Sequence, residues 1–235
     1  MADLDTPLTR RRALQLAGGL GLAAVVSACS SDGGSAGSGA AATSFGTPST
    51  TAPSCVLMPE LTEGPYYLDL DLLRSDITEG RPGLPLDLRV DVVDARSCEP
   101  IEGAAVDVWH CDAGGAYSGV RGSEGETFCR GVQRTDASGT AAFRTVFPGW
   151  YAGRAVHIHV KVAADGDQVH TGQLFFDPDT LSDVYSAEPY VARGEPDVPN
   201  ESDGIYRESG GVTVVAVTVD DESSSGSVTL GIDRA

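Results

Sequence analysis

Two stretches of this chain alternate along the backbone with a period of two. Leu86-Asp87-Leu88-Arg89-Val90-Asp91-Val92-Val93 switches between apolar and polar residues, and Val212-Thr213-Val214-Val215-Ala216-Val217-Thr218-Val219 does so in a more apolar register. In a strand, successive side chains point to opposite faces, so this pattern marks half-buried strands. Shorter stretches of the same kind are expected at Ala104 to Trp109, Ala141 to Val146, Ala155 to Val162, Gly172 to Phe176 and Ser227 to Ile232. Turn residues separate them: Ala137-Ser138-Gly139, Asp165-Gly166-Asp167 and Ser224-Ser225-Gly226. Helical periodicity is scarce. Only Asp179 to Ala192 suits a short helix, interrupted by Pro189, and Glu188 to Gly211 reads as a long surface loop. Many short strands imply a mainly β chain: an antiparallel β-sandwich with long loops and little helix.

Composition narrows the partners. Of 235 residues, 41% are hydrophobic, which excludes wholesale disorder. Lys and Arg number 16 against 34 Asp and Glu, a net charge of -18. A surface of that sign repels phosphates, so neither nucleic acid nor an anionic membrane surface is an expected partner.

The N-terminus reads as an address. Arg10, Arg11 and Arg12 precede an apolar run from Ala13 to Val26 that is too short and too rich in Gly and Ala for a membrane span of about 20 residues. Thr9-Arg10-Arg11-Arg12-Ala13-Leu14 resembles a twin-arginine export signal, and Val26-Ser27-Ala28-Cys29 resembles a bacterial lipobox. Residues 1–28 are therefore expected to be a cleaved signal peptide, with Cys29 lipidated. Residues 29–54, rich in Ser, Gly, Ala, Thr and Pro, form a flexible linker, and residues 55–235 form the folded domain. The expectation is an exported protein, anchored outside the cell membrane only through lipid on Cys29, or secreted with an ordinary signal peptide.

Four cysteines remain in the domain: Cys55, Cys98, Cys111 and Cys129. An even count in an exported domain suggests disulfides, and four thiols allow three pairings. Cys55–Cys98 would pin the start of the domain to an inter-strand turn, and Cys111–Cys129 would close a short excursion. Free buried thiols are the alternative. A structural zinc site is disfavoured, since no Cys-x-x-Cys spacing occurs.

His157-Ile158-His159 lies inside an apolar strand, so both imidazoles project from one face of a rigid platform, as a metal site needs. His110, beside Trp109 at a strand end, reads as packed, and His170, near a turn, as solvated. Tyr117 and Tyr151 each sit among glycines and small residues in a loop adjoining a strand, where either could serve only packing or turn formation. A phenol with a free pKa of about 10 becomes a ligand only for a strong Lewis acid, and ferric iron is one.

At this point the chain resembles a family, the intradiol ring-cleavage dioxygenases, which include catechol 1,2-dioxygenase and protocatechuate 3,4-dioxygenase. The matching segments are Thr62-Glu63-Gly64-Pro65-Tyr66-Tyr67, Asp107-Val108-Trp109-His110, Gly115-Ala116-Tyr117-Ser118, Thr135-Asp136-Ala137-Ser138-Gly139, Pro148 through His159, and Gln173-Leu174-Phe175-Phe176. They follow the family's order over nearly the whole domain, and the shorter exported members are most similar. The resemblance implies a β-sandwich holding non-haem Fe(III) on Tyr117, Tyr151, His157 and His159, with Tyr151 and His159 axial. It assigns Arg154 and Gln173 to the shell that acts on reaction intermediates, and places Tyr66 in the substrate pocket. The implied partners are a small-molecule catechol and O2, the implied product is a cis,cis-muconate-type dicarboxylic acid, and the implied proton acceptors are a hydroxide in the fifth position and the axial Tyr151. Two other readings share the fold: a non-catalytic cell-surface sandwich that binds carbohydrate, and an exported protein that binds copper or zinc through His157 and His159.

Overall fold

The computed structural model describes residues 55–164, 168–220 and 222–234. The expected signal peptide, Cys29 and the linker lie outside the described residues. The domain is mainly β. Its strands are β1 (Pro85–Asp94), β2 (Ala105–Trp109), β3 (Arg130–Arg134), β4 (Thr140–Val146), β5 (His157–Ala164), β6 (Gln168–Phe176), β7 (Val214–Val219) and β8 (Ser224–Ile232). They form one eight-stranded sheet in the order β3-β2-β5-β6-β7-β8-β1-β4.

The strand β7 belongs to both halves of that sheet. Val214 and Val215 pair with Phe175 and Phe176 of β6, whereas Ala216 through Val219 pair with β8. The single large core draws Leu86, Val90 and Leu230 from one half and Val106, Ile158 and Leu174 from the other, so the sheet folds over β7 into a sandwich. Full burial of each such side chain is worth about 1.5–3 kcal/mol.

The pairing departs from the purely antiparallel expectation at two places: β1 with β8, and β6 with β7, are parallel. Periodicity sets which face a residue occupies but not which neighbour a strand takes, and long connections permit parallel pairing. The sheet's two edges, β3 and β4, are bridged by the segment 72–77: Arg74 donates to Val132 O, and Ile77 donates to Arg144 O. This covers edges that would otherwise be open to another chain.

Helix α1 (Pro178–Tyr185) opens on Asp177, whose side chain accepts from Asp179 N, and it buries Leu181, Val184 and Tyr185. It ends before the cis Glu188–Pro189 bond, short of the helix expected to Ala192. The stretch from Glu188 to Gly211 is not a plain surface loop. It holds two 3-10 turns and helix α2 (Gly204–Ser209), and it buries Tyr190, Asn200 and Asp203. Nor is Ser224-Ser225-Gly226 a turn, because β8 begins at Ser224.

Cys55 and Cys98 form a disulfide with Cα atoms 5.4 Å apart. The expected Cys111–Cys129 bond is absent: both thiols are free and buried. Parity explains this. His110 N bonds Cys129 O, so residue 110 lies opposite 129, and Cys111 points to the other face of that ribbon. Cys111 Sγ meets Gly149 O at 3.2 Å, while Cys129 packs with Phe128 and Val146. His170 also differs from expectation. It is buried on β6, its Nε2 3.0 Å from Asp233 O and its Nδ1 3.1 Å from Glu60 Oε1.

Candidate metal centre

Strand β5 lies between β2 and β6, and its alternation decides what it presents. Ile158, Val160 and Val162 enter the core, each fully buried. His157 and His159 therefore take the opposite face, with Nε2 atoms 3.1 Å apart. Across the sheet His159 pairs with Trp109 on one side and Gln173 on the other, which brings Gln173 to the histidine face. The Trp109 ring stacks on His159 at 4.8 Å, nearly parallel, and fixes its plane.

Because β2 and β5 are antiparallel, the loop leaving β2 and the loop entering β5 emerge at the same end of the sheet. Tyr117 sits on the first and Tyr151 on the second. Gly149 N donates to Asp112 O at 3.0 Å, joining them. Gly115 has φ +83, and a side chain there would collide with the Trp150 carbonyl. The close approach of the two tyrosine loops thus depends on that glycine. Arg130, nearly fully buried, braces the first loop by donating to Ser118 Oγ and Ser118 O at 2.8 and 2.7 Å.

The four side chains converge. Tyr151 Oη lies 3.3 Å from His157 Nε2, and the Tyr117 and Tyr151 rings are 5.7 Å apart. His157 Nδ1 sits 2.7 Å from Ala155 O and donates to it, so its Nε2 carries the lone pair that faces the cluster. Burial pushes the His157 pKa down to about 3, with the Arg154 charge adding to the effect, and burial likewise holds His159 well below its usual range. Both imidazoles are neutral. Burial raises both phenols as well, Tyr117 strongly. The Tyr117 hydroxyl and His159 Nδ1 are buried with no hydrogen-bond partner of ordinary geometry. Buried polar atoms left in that state cost about 1–3 kcal/mol each. Among the described residues no three His, Cys, Asp or Glu gather, so tyrosine must be counted for a four-donor set to exist here.

The remaining expected residues surround this point. Arg154 Nη1 is 3.5 Å from Tyr151 Oη, and its Nη2 donates to Gln173 Oε1 at 2.6 Å. Gln173 Nε2 donates to Thr62 O at 3.0 Å, and Gly64, two residues on, passes beside the His159 ring. Tyr66 follows, its ring 4.6 Å from Tyr117 and 6.0 Å from Tyr151. A cavity of about 350 Å³ opens beside the cluster, lined by Tyr66, Tyr117 and Tyr151 with Val120 and Arg121. Of the candidate site residues only Cys29 lies outside the described part, as does the expected turn Asp165-Gly166-Asp167. The sequence reading missed Arg130 and Asp203. Asp203 accepts from Arg154 Nε at 2.8 Å across 49 positions. Its one local signal was an Asp directly before Gly204-Ile205, an N-cap pattern.

Fold and site together define a mainly β domain with a small-molecule pocket beside a buried cluster of imidazoles and phenols. The dioxygenase family model (Dioxygenase_C) matches residues 59–193, and the chain belongs to that family, within the intradiol ring-cleavage dioxygenases. Among solved structures it is similar to the intradiol ring-cleavage dioxygenase from Tetranychus urticae, at 36% identity and a TM-score of 0.72 over 76% of this chain and 95% of that one. It is also similar to the dioxygenase domain of a dioxygenase carbohydrate-binding protein fusion from Streptomyces sp. SirexAA-E, at 32% identity and a TM-score of 0.61 over 77% and 100% of the two chains. A chlorocatechol 1,2-dioxygenase of Pseudomonas putida is 29% identical over 138 residues, 49% of this chain and 52% of that protein. The chain thus spans about half the length of that relative.

Proposed function

We propose that the domain holds one non-haem ferric ion on Tyr117, Tyr151, His157 and His159, and uses it to open a catechol ring between its two hydroxylated carbons. The reaction consumes one O2, both of whose atoms enter the cis,cis-muconate-type product, so no external reductant is needed. The observation that carries this reading is the convergence of two neutral imidazoles and two phenols at one point, with the two imidazole Nε2 atoms 3.1 Å apart and Tyr151 Oη 3.3 Å from one of them. Hard phenolate oxygens with imidazole nitrogens form a donor set suited to ferric iron.

Held by Tyr117, Tyr151, His157 and His159, the ion would supply Lewis acidity that favours deprotonated phenols at this point. The chain's own residues do the rest. Val120 and the rings of Tyr66, Tyr117 and Tyr151 line a cavity large enough for one substituted aromatic ring. Tyr151 Oη is in reach of the pocket and, as a phenolate, would accept one of the two protons that an arriving catechol gives up, the other being taken by the hydroxide or water held at the centre. Arg154 sets a permanent positive charge beside Tyr151 Oη, where negative charge collects as the ring is attacked. Gln173 is buried between Arg154 and the Thr62 carbonyl, and orients Arg154 through its amide oxygen.

Export and lipid anchoring through Cys29 belong to the same reading. The Cys55–Cys98 disulfide supports it, because such bonds persist in oxidising compartments. Cys29→Ser should release the domain or leave it unprocessed without altering its catalysis.

Oxygen uptake by the iron-loaded protein against a panel of catechols tests the main proposal. Uptake equimolar with loss of catechol and formation of a muconate-type product is expected. Absence of uptake with every catechol from protein that has bound iron would contradict it.

A further inference from the structure

We propose that Asp203 is a positioning residue that fixes the Arg154 guanidinium against the centre, so that the segment carrying Asp203 is part of the active site. The inference deepens the proposed dioxygenase function and rests on it for its kinetic consequences.

Asp203 is almost fully buried, and its side chain is 2% exposed against 18% for Arg154. Both carboxylate oxygens are engaged. Oδ2 accepts from Arg154 Nε and from Ala155 N, each at 2.8 Å. Oδ1 accepts from Ile205 N at 2.7 Å and Tyr206 N at 3.2 Å, which caps α2. These donors and the Arg154 charge hold the carboxyl below its ordinary range despite burial. The carboxylate is thus locked to a helix on one side and to the approach to β5 on the other.

Arg154 gains its orientation from this lock. Its Nε edge is held by Asp203, which leaves Nη1 and Nη2 to point at Tyr151 Oη and Gln173 Oε1. A guanidinium is planar, so fixing one edge fixes the direction of the rest. Among the described residues, only the Gln173 contact at 2.6 Å and the longer Tyr151 contact at 3.5 Å would hold it without Asp203. Groups that orient a catalytic side chain are commonly worth about tenfold to a hundredfold in activity.

A purely structural role for Asp203, capping α2 and holding Ala155, is the competing account, and a mutant cycle separates the two. Iron content, kcat, KM and Tm should be measured on the full iron-loaded protein carrying Asp203→Asn, Asp203→Ser, Arg154→Ala, and Asp203→Asn with Arg154→Ala. Asp203→Asn should lower kcat about tenfold to a hundredfold while iron content stays at the wild-type level and KM changes little. In the Arg154→Ala background the same substitution should cost no further kcat, because its means of action is already gone. It should also cost less Tm there than in the wild-type background, because the ion pair it breaks is already gone and only the backbone N–H contacts of the carboxylate remain to be lost.

Serine caps helices well but does not bring a carboxylate to Arg154, so Asp203→Ser should lose kcat as Asp203→Asn does. Full kcat in Asp203→Ser would reduce Asp203 to a helix cap and overturn the proposal. Losses of kcat that multiply in the double variant, or loss of iron in Asp203→Asn, would overturn it as well. If the wild-type protein turns over no catechol, the function fails, but the Tm cycle still decides whether Asp203 and Arg154 are coupled.

Discussion

His110 and His159 sit about equally deep, 0% and 1% exposed, at the ends of neighbouring strands. Their hydrogen bonds differ. His110 has Nδ1 2.7 Å from Cys111 O and Nε2 2.8 Å from Thr145 Oγ1, so both ring nitrogens are satisfied within the fold. His159 has an Nδ1 with no hydrogen-bond partner among the described residues and an Nε2 facing another imidazole. Burial alone does not separate a packing histidine from a functional one. What separates them is whether the surrounding protein completes their hydrogen bonds, because an incomplete buried set costs stability and so implies a missing partner.

Substitution should divide the two regions most sharply. His157→Ala should abolish iron binding and activity, whereas His110→Ala should keep iron in every folded molecule. The latter should lower stability by about 2–4 kcal/mol, since it strands the Thr145 hydroxyl and opens a cavity. Metal analysis and denaturant unfolding on both variants check this, and comparable iron loss in both would erase the distinction.

Next in size, Arg154→Ala should retain iron and cut turnover by about 10²–10³, the usual effect of removing a preorganised charge donor. Kinetics with metal analysis decide the matter, and turnover within a few fold of wild type would remove Arg154 from the chemistry.

A smaller effect is expected from the cysteines. Breaking Cys55–Cys98 by Cys55→Ser should cost about 2–4 kcal/mol, as measured by unfolding. Cys111 and Cys129, whose thiol pKa values burial raises, Cys129's to about 12, should stay unreactive until the protein unfolds. Two thiols reacting in the native state would contradict their burial.

The last expected effect is on pH dependence. Burial pushes His110 down to about 4, whereas in the unfolded chain it titrates near 6.5. The unfolded state then takes up a proton that the folded state refuses. The stability contribution is fully present above about pH 6.5 and is lost as pH falls toward about 4. His110→Gln should reduce the slope of this part of a Tm-against-pH curve, to which His157 and His159 also contribute, and an unchanged slope would show that His110 is not one of its sources.

Much of this was legible in the chain, for identifiable reasons. The alternation over 86–93 shows plainly because Asp87, Arg89 and Asp91 punctuate it, and β1 occupies Pro85–Asp94. The same parity brings His157 and His159 onto one face, and the loops of Tyr117 and Tyr151 were marked by their glycines. Strand β3 was missed because its residues, Arg130-Gly131-Val132-Gln133-Arg134, show little apolar alternation, and because burial of Arg130 depends on Ser118 in a distant loop. Asp203 stayed hidden because its meaning lies 49 positions away at Arg154. Local pattern reports faces and turns. Pairings between distant segments, including the parallel ones and the absent Cys111–Cys129 bond, are decided by register.

The visible absorption spectrum of the iron-loaded protein, taken before and after addition of catechol, tests the centre most directly. Two tyrosinates on ferric iron should give a broad charge-transfer band that shifts when catechol binds and that Tyr117→Phe bleaches or moves. A colourless protein with stoichiometric iron, unchanged by catechol, would contradict the account.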